Sequence, residues 1–167
     1  VLCLGINYTE HAKESESFDK EAFGGERPCA IYFSKRVNES PADGDDICGH
    51  FDIVDSLDYE GELGVIIGKD AKNVPIEEAG DYIFGYTVIN DVSARNIQTA
   101  HKQWYFGKSL DGFTPMGPCI VTADEIPYPP ALQITTRVNG ELRQNSTTDL
   151  LITDIDHIIH ELSQGMT

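Results

Sequence analysis

Apolar residues along this chain gather in short runs more often than at helical spacing. VLCLG (residues 1–5) is a brief apolar run ending in a glycine, which predicts a buried strand and a turn. Tyr8 to Ala22 is polar and predicts a short helix, closed by Gly24-Gly25 and Pro28. CAIYFSK (29–35) predicts a strand and SPADGDD (40–46) a loop. Leu57 to Gly68 predicts one strand with an apolar second half, Pro75 to Ala79 a helical turn, and Tyr82 to Asn90 a buried strand. Ser93 is placed to cap a helix running to about Gln103. Met116 to Thr122 and Gln133 to Val138 predict strands, and Asn139-Gly140 predicts a hairpin turn with Glu141 to Asn145 returning. Ile155, Ile158, Ile159 and Leu162 fall at helical spacing behind Asp154, a suitable N-cap. Strands outnumber helices and do not alternate with them, so the pattern predicts an α+β, mostly-β domain, not a doubly wound sheet.

Composition narrows the partners. The chain has 167 residues, suited to one domain spanning 1–167, and a hydrophobic share of 40% argues against disorder. Twenty-eight acidic residues against 12 basic give a net charge of −16. Nucleic acid and anionic membrane surfaces would be repelled, so neither is expected as a partner. No apolar run reaches the roughly 18 residues of a membrane span, and the start lacks the pattern of a secretory signal. The four cysteines show no C-x-x-C spacing, and Cys3 and Cys119 lie in apolar runs. A reduced, cytoplasmic protein is the expectation. The opening VLCLGINY reads like a strand already under way, so residues are expected upstream.

Four groups of residues carry candidate chemistry. Glu60 and Glu62 are two apart on the strand predicted for 57–68, which would put both on one face. They form either a solvated acidic face or a pair of hard oxygen ligands for Mg2+, Mn2+ or Ca2+. Asp91 ends the YIFGYTVIN run, where it either caps the following helix or adds a third oxygen ligand. His11 and Glu14 are three apart on a predicted helical turn. They make either a surface pair or a general base oriented by a carboxylate. Lys108 lies in the turn-rich GKSLDGFTPMGP, as a surface charge or as a stabiliser of an enolate near a metal. Arg95 could bind a substrate carboxylate or form a structural ion pair. His157 and His160 are expected on the surface of the last helix.

Taken together, GINYTEHAKE, AIYFSK, LDYEGELGVIIGK, GYTVINDVSAR, QWYFGKSLDGFTPMGP and NGELRQNSTTDLL resemble the fumarylacetoacetate hydrolase family, in family order and over nearly the whole chain. The resemblance implies a mixed β-roll with peripheral helices, a homodimer, and one Mg2+ or Mn2+, with Ca2+ in some members. It implies Glu60, Glu62 and Asp91 as metal ligands and His11 with Glu14 as the catalytic dyad. Lys108 would match the lysine near the substrate oxyanion, Arg95 the arginine after the metal aspartate, and Thr147 the threonine after the hairpin, the last two on the substrate. In the family a further stretch follows the segment resembling ELSQGMT, so the domain is expected to be truncated at both ends. The implied activity is hydrolytic C–C cleavage of a small acylpyruvate-like or 1,3-dicarbonyl acid. Isomerisation or decarboxylation of a related dicarboxylate is the alternative, and a non-catalytic small-acid or metal-binding module a third. Specificity is expected from loops such as Phe18 to Arg27 and from the missing tail.

Overall fold

The computed structural model describes residues 1–9 and 29–167. His11 and Glu14, the helix expected over Tyr8 to Ala22, and the specificity loop Phe18 to Arg27 fall wholly or mainly outside them. The fold is mostly sheet with a few helices. It divides into two compact units, Val1–Glu62 with Ile89–Pro118, and Leu63–Val88 with Cys119–Thr167.

The first unit opens with β1 (Leu2–Gly5) paired antiparallel to β2 (Ile31–Ser34), with Leu2 opposite Ser34 and Gly5 opposite Ile31. The strand expected over 57–68 is two strands: β3 (Leu57–Asp58) and β4 (Gly61–Ile67), interrupted at Tyr59-Glu60. The reason is a change of partner. β3 pairs with β6 (Ser93–Ala94), Asp58 facing Ser93, whereas β4 neighbours β5 (Ile83–Asn90) in a sheet of order β4-β5-β7. β7 is Met116–Thr122, as the apolar run predicts.

Ser93 does not cap a helix. It is fully buried inside β6, and its hydroxyl donates to the Asp91 carbonyl at 3.0 Å. Helix α1 (Arg95–Ala100) starts one residue after Ala94, without a side-chain cap, and ends before Gln103. A second short helix, α2 (Tyr105–Lys108), packs on α1. Gly107 makes that approach possible. A Cβ there would stand 2.5 Å from the Gln98 nitrogen and 2.9 Å from the Ala94 carbonyl oxygen, both backbone atoms that cannot swing aside. Val54, Val92, Ala94, Ile97 and Phe113 form the apolar cluster of this unit.

In the second unit β8 (Gln133–Val138) and β9 (Glu141–Thr147) form the expected hairpin, the return strand running two residues further than predicted. Asn139 and Gly140 both have positive φ, 52° and 82°, as a type I′ turn requires. Helix α3 (Ile155–Gly165) starts at Asp154, whose side chain accepts from the His157 backbone N–H at 2.8 Å. Its buried Ile155 and Ile159 pack with Val74, Ala79, Ile83 and Tyr86. Where a helical turn is expected over Pro75 to Ala79, a 3-10 segment, Ile76–Tyr82, lies against α3. His157 is exposed, but His160 is not a surface residue. It is partly buried, and its Nδ1 donates to the Val74 carbonyl at 2.7 Å.

Candidate active site

A cluster of charges is buried in the first unit. Glu60 and Asp91 are 7% and 6% exposed, Lys108 and Lys35 only 2% and 3%. Isolated charges in such places would cost several kcal/mol each, so pairing has to offset the loss of water. The Lys108 Nζ donates to Glu60 Oε2 at 2.7 Å and to Asp91 Oδ2 at 2.8 Å. The other Asp91 oxygen, Oδ1, accepts from Lys35 Nζ at 2.5 Å, and Lys35 also donates to the Val92 carbonyl at 3.1 Å. The other Glu60 oxygen, Oε1, accepts from Arg95 Nη2 at 2.5 Å. Arg95 donates twice more to Asp58 Oδ2, at 2.7 and 2.9 Å, and once to Gln98 at 2.9 Å.

Local backbone contacts explain why these groups meet. The Glu60 N–H donates to the Asn90 side-chain carbonyl at 3.1 Å, and the Asp91 N–H donates to the Glu60 carbonyl at 2.7 Å. The break between β3 and β4 therefore lies against the end of β5, and Glu60 and Asp91 are neighbours by main-chain bonding. The alternation argument does not place Glu60, since β4 begins at Gly61 and only Glu62 lies in it. Lys108 arrives at the end of α2, and Lys35 directly after β2. The Phe33 ring lies 5.4 Å from the Lys108 Nζ and meets Trp104 edge-on at 5.5 Å. The Phe33 ring thus helps keep water from the ammonium.

Electrostatics follow the burial. Desolvation works against the Lys108 charge, but Glu60 and Asp91 outweigh it and hold the ammonium above its ordinary value. Arg95 is raised in the same way: burial opposes its charge, and Glu60 and Asp58 overcome it. Lys35 goes the other way, since burial exceeds the help from Asp91. The Asp91 carboxyl is raised, by burial first and by Glu60, against the pull of Lys108. Glu62 is pushed up to about 8, by burial and then by the charges of Glu60 and Asp91. Cys3 is pushed up to about 12 by burial and by Asp91.

This donor set fits a divalent cation in its chemistry. Carboxylate oxygens are the hard donors Mg2+ and Mn2+ take. Two of them already share one positive charge, the Lys108 ammonium. The third, Glu62, is close enough for their charges to oppose its ionisation, which an added cation would relieve. As they stand, no three acidic, histidine or cysteine side chains among the described residues form a ready metal cage.

Of the residues singled out from the sequence, Glu60, Asp91, Lys108 and Arg95 are brought together. Thr147 belongs to the second unit, where its hydroxyl accepts from the Asp149 N–H at 3.5 Å. Lys35 and Asp58 were missed. Each does have a signal: a lysine closing the apolar run AIYFSK, and an acid preceding EGE in LDYEGE. All four cysteines are free thiols. Cys119 does not serve as a small core hydrophobe, because it is exposed. Among the described residues no helix is long and apolar enough to cross a membrane.

The chain is 44% identical over all 167 residues to the oxaloacetate tautomerase YisK of Bacillus subtilis, and spans 54% of that protein. It thus spans about half the length of the curated relatives it matches. Among solved structures, a fumarylacetoacetate hydrolase from Exiguobacterium antarcticum is 42% identical with a TM-score of 0.78. The match covers 99% of this chain and 57% of that one. The fumarylpyruvate hydrolase of Pseudomonas aeruginosa, in complex with Mn2+ and pyruvate, is 30% identical with a TM-score of 0.83, covering 99% and 71%. The model for the fumarylacetoacetate (FAA) hydrolase C-terminal region matches residues 1–167, and this chain belongs to the fumarylacetoacetate hydrolase family.

Proposed function

We propose that this chain carries out divalent-metal-dependent chemistry on a small 2-oxo acid, through an enolate. The observation that carries the reading is the meeting of buried Glu60 and Asp91 on one ammonium, with Glu62 nearby. Such a cluster contributes little to stability and is suited to hold a cation. Glu60, Glu62 and Asp91 would hold Mg2+ or Mn2+, with Ca2+ as a third choice, and the ion would supply a Lewis acid for the oxo and carboxylate oxygens. Lys108 would face the developing enolate oxygen. Arg95 would bind a substrate carboxylate. His11, oriented by Glu14, would act as general base.

The first reading of the reaction is hydrolysis of an acylpyruvate-like acid. His11 removes a proton from water, the oxygen adds to the acyl carbonyl, and the C–C bond breaks. The products are a carboxylic acid and a pyruvate enolate, which takes up a proton at carbon. The relative named fumarylpyruvate hydrolase supports it. A second reading, keto–enol tautomerisation of a dicarboxylate, needs only the proton transfers. It is favoured by the 44% identity to the relative named oxaloacetate tautomerase. Both readings treat 1–167 as part of one catalytic domain acting as a homodimer in the cytoplasm. The four free thiols suit that compartment.

The test is a panel of fumarylpyruvate, acylpyruvates and oxaloacetate, with Mg2+ or Mn2+, on the full chain and on Glu62→Gln. Metal-dependent turnover in the wild type, with turnover and Mn2+ affinity falling together in Glu62→Gln, is expected. Metal-independent turnover, or Mn2+ binding with no turnover of any oxo acid, would overturn the enzyme reading. Sedimentation of the full chain as a monomer would overturn the dimer.

A further inference from the structure

We propose that Lys108 is an internal stand-in for the metal: its ammonium closes the carboxylate pair when no divalent ion is bound and gives way when one is. This rests on the metal reading above and adds a role for a residue of this chain. The geometry is direct. Lys108 Nζ lies 2.7 Å from Glu60 Oε2 and 2.8 Å from Asp91 Oδ2, so one positive point charge is shared by one oxygen of each acid. The other oxygens of the same acids are taken by other cations, Oε1 by Arg95 and Oδ1 by Lys35. Glu60 Oε2 and Asp91 Oδ2 thus form a pair bridged by one cation. A cation serving Glu60 and Asp91 together competes with Lys108 for them.

The two buried lysines then have opposite duties. Lys35 donates to Asp91 Oδ1 and is anchored on the Val92 carbonyl, so it keeps the carboxylate aimed whichever cation meets Oδ2. Lys108 meets the other Asp91 oxygen from the end of a four-residue helix, on a side chain with four rotatable bonds. When displaced, its ammonium becomes available to a substrate oxygen beside the ion. The device keeps the acids neutralised in the metal-free protein, where bare carboxylates would repel each other. It also couples metal loading to the presentation of a cationic group. Lys35 is a positioning residue, acting through Asp91.

The proposal predicts opposite signs for two substitutions of one residue type. With Mn2+ alone as probe, followed by calorimetry on the full chain, Lys108→Met should bind more tightly. If the closed arrangement outweighs the open one about ten to one, removing the internal competitor gains about tenfold. Lys35→Met should bind about 10- to 100-fold more weakly, as expected when the partner that orients a ligand is lost. Metal-free Lys108→Met should melt below the wild type and recover more on Mn2+ addition. A wild-type measurement guards against a variant that fails to fold. In the side-chain NMR spectrum, the Lys108 ammonium signal should move or vanish on titration with Mg2+, while that of Lys35 persists. Weaker Mn2+ binding by Lys108→Met, or an unmoved Lys108 signal in metal-loaded protein, overturns the exchange and leaves the metal reading standing. Failure of the wild type to bind either ion overturns both.

Discussion

In the second unit Val74, Ala79, Ile83, Tyr86, Ile155 and Ile159 are buried against one another, hydrocarbon on hydrocarbon. In the first unit Lys35, Glu60, Asp91 and Lys108 are buried just as deeply, charge on charge. The apolar group gains free energy simply by leaving water, at about 25 cal/mol per Å2 of apolar area. The charged group loses hydration first and recovers it only where every partner is in place. An apolar cluster therefore tolerates rearrangement, at the cost of a cavity. A charged one fails when one member is removed, because its partners cannot be left alone. A protein that needed only a stable core would not build the second kind. The proposed metal chemistry would give such a cluster its use.

Removing one charge should give the largest effect. Asp91→Ala takes from the buried Lys35 ammonium the carboxylate it donates to, and leaves Lys108 with one of its two carboxylate partners, Glu60. A loss of about 3–5 kcal/mol is expected in urea unfolding, with loss of Mn2+ binding. A loss below about 1 kcal/mol would show that the cluster is wetter than its burial implies. Ile159→Ala, in the apolar core, should cost about 3 kcal/mol from transfer and cavity. Here Mn2+ affinity should stay within about twofold, since no charge partner changes. If affinity collapses too, the contrast between the regions is lost.

Gly107→Ala sharpens the comparison at a smaller scale. It adds one methyl against the backbone of Gln98 and Ala94, immediately before Lys108. About 1–3 kcal/mol of destabilisation is expected from overpacking. Metal affinity should change as well, because the shift moves the Lys108 ammonium. A variant of wild-type stability would show that α2 does not depend on this close approach.

The smallest effect belongs to a charge that is mostly in water. Burial alone would raise the Asp154 carboxyl, but hydrogen bonds from the His157 N–H and ring, and its charge, hold it below the usual range. A depressed folded value means stability that is present above the unfolded value of about 3.9 and lost as pH falls through the folded one. Asp154 is 58% exposed, so this part should be no more than about 0.5 kcal/mol. Asp154→Ala, which removes the cap as well, should cost about 1 kcal/mol at pH 7. Asp154→Asn keeps the cap, and its deficit relative to wild type should shrink between pH 5 and pH 2. A deficit that grows on acidification would reverse the sign argued here.

The elements with their own local signals were legible in the sequence. β7 was bounded by its apolar run, the 139–140 turn by Asn-Gly, and α3 by the Asp154 cap and its isoleucines. Each rests on physics acting within a few residues: backbone sterics at positive φ, a side chain satisfying an orphan N–H, a period of 3.6. The acids Glu60, Glu62 and Asp91 and the base Lys108 were also visible, as charges set against apolar strands. Their arrangement was not. Alternation over one long strand put Glu60 in place by the wrong argument, because the strand breaks where its partner changes from β6 to β5, a long-range pairing. Ser93 carried a cap signature, but it is fully buried in a strand and bonded to the Asp91 carbonyl. Lys35 looked like any lysine at a strand end. Only the approach of residue 91, 56 positions later, turned it into a buried counter-ion. Charge, turn chemistry and periodicity are properties of neighbours along the chain. Desolvation and ion pairing depend on neighbours in space, and those exist only once the fold has formed.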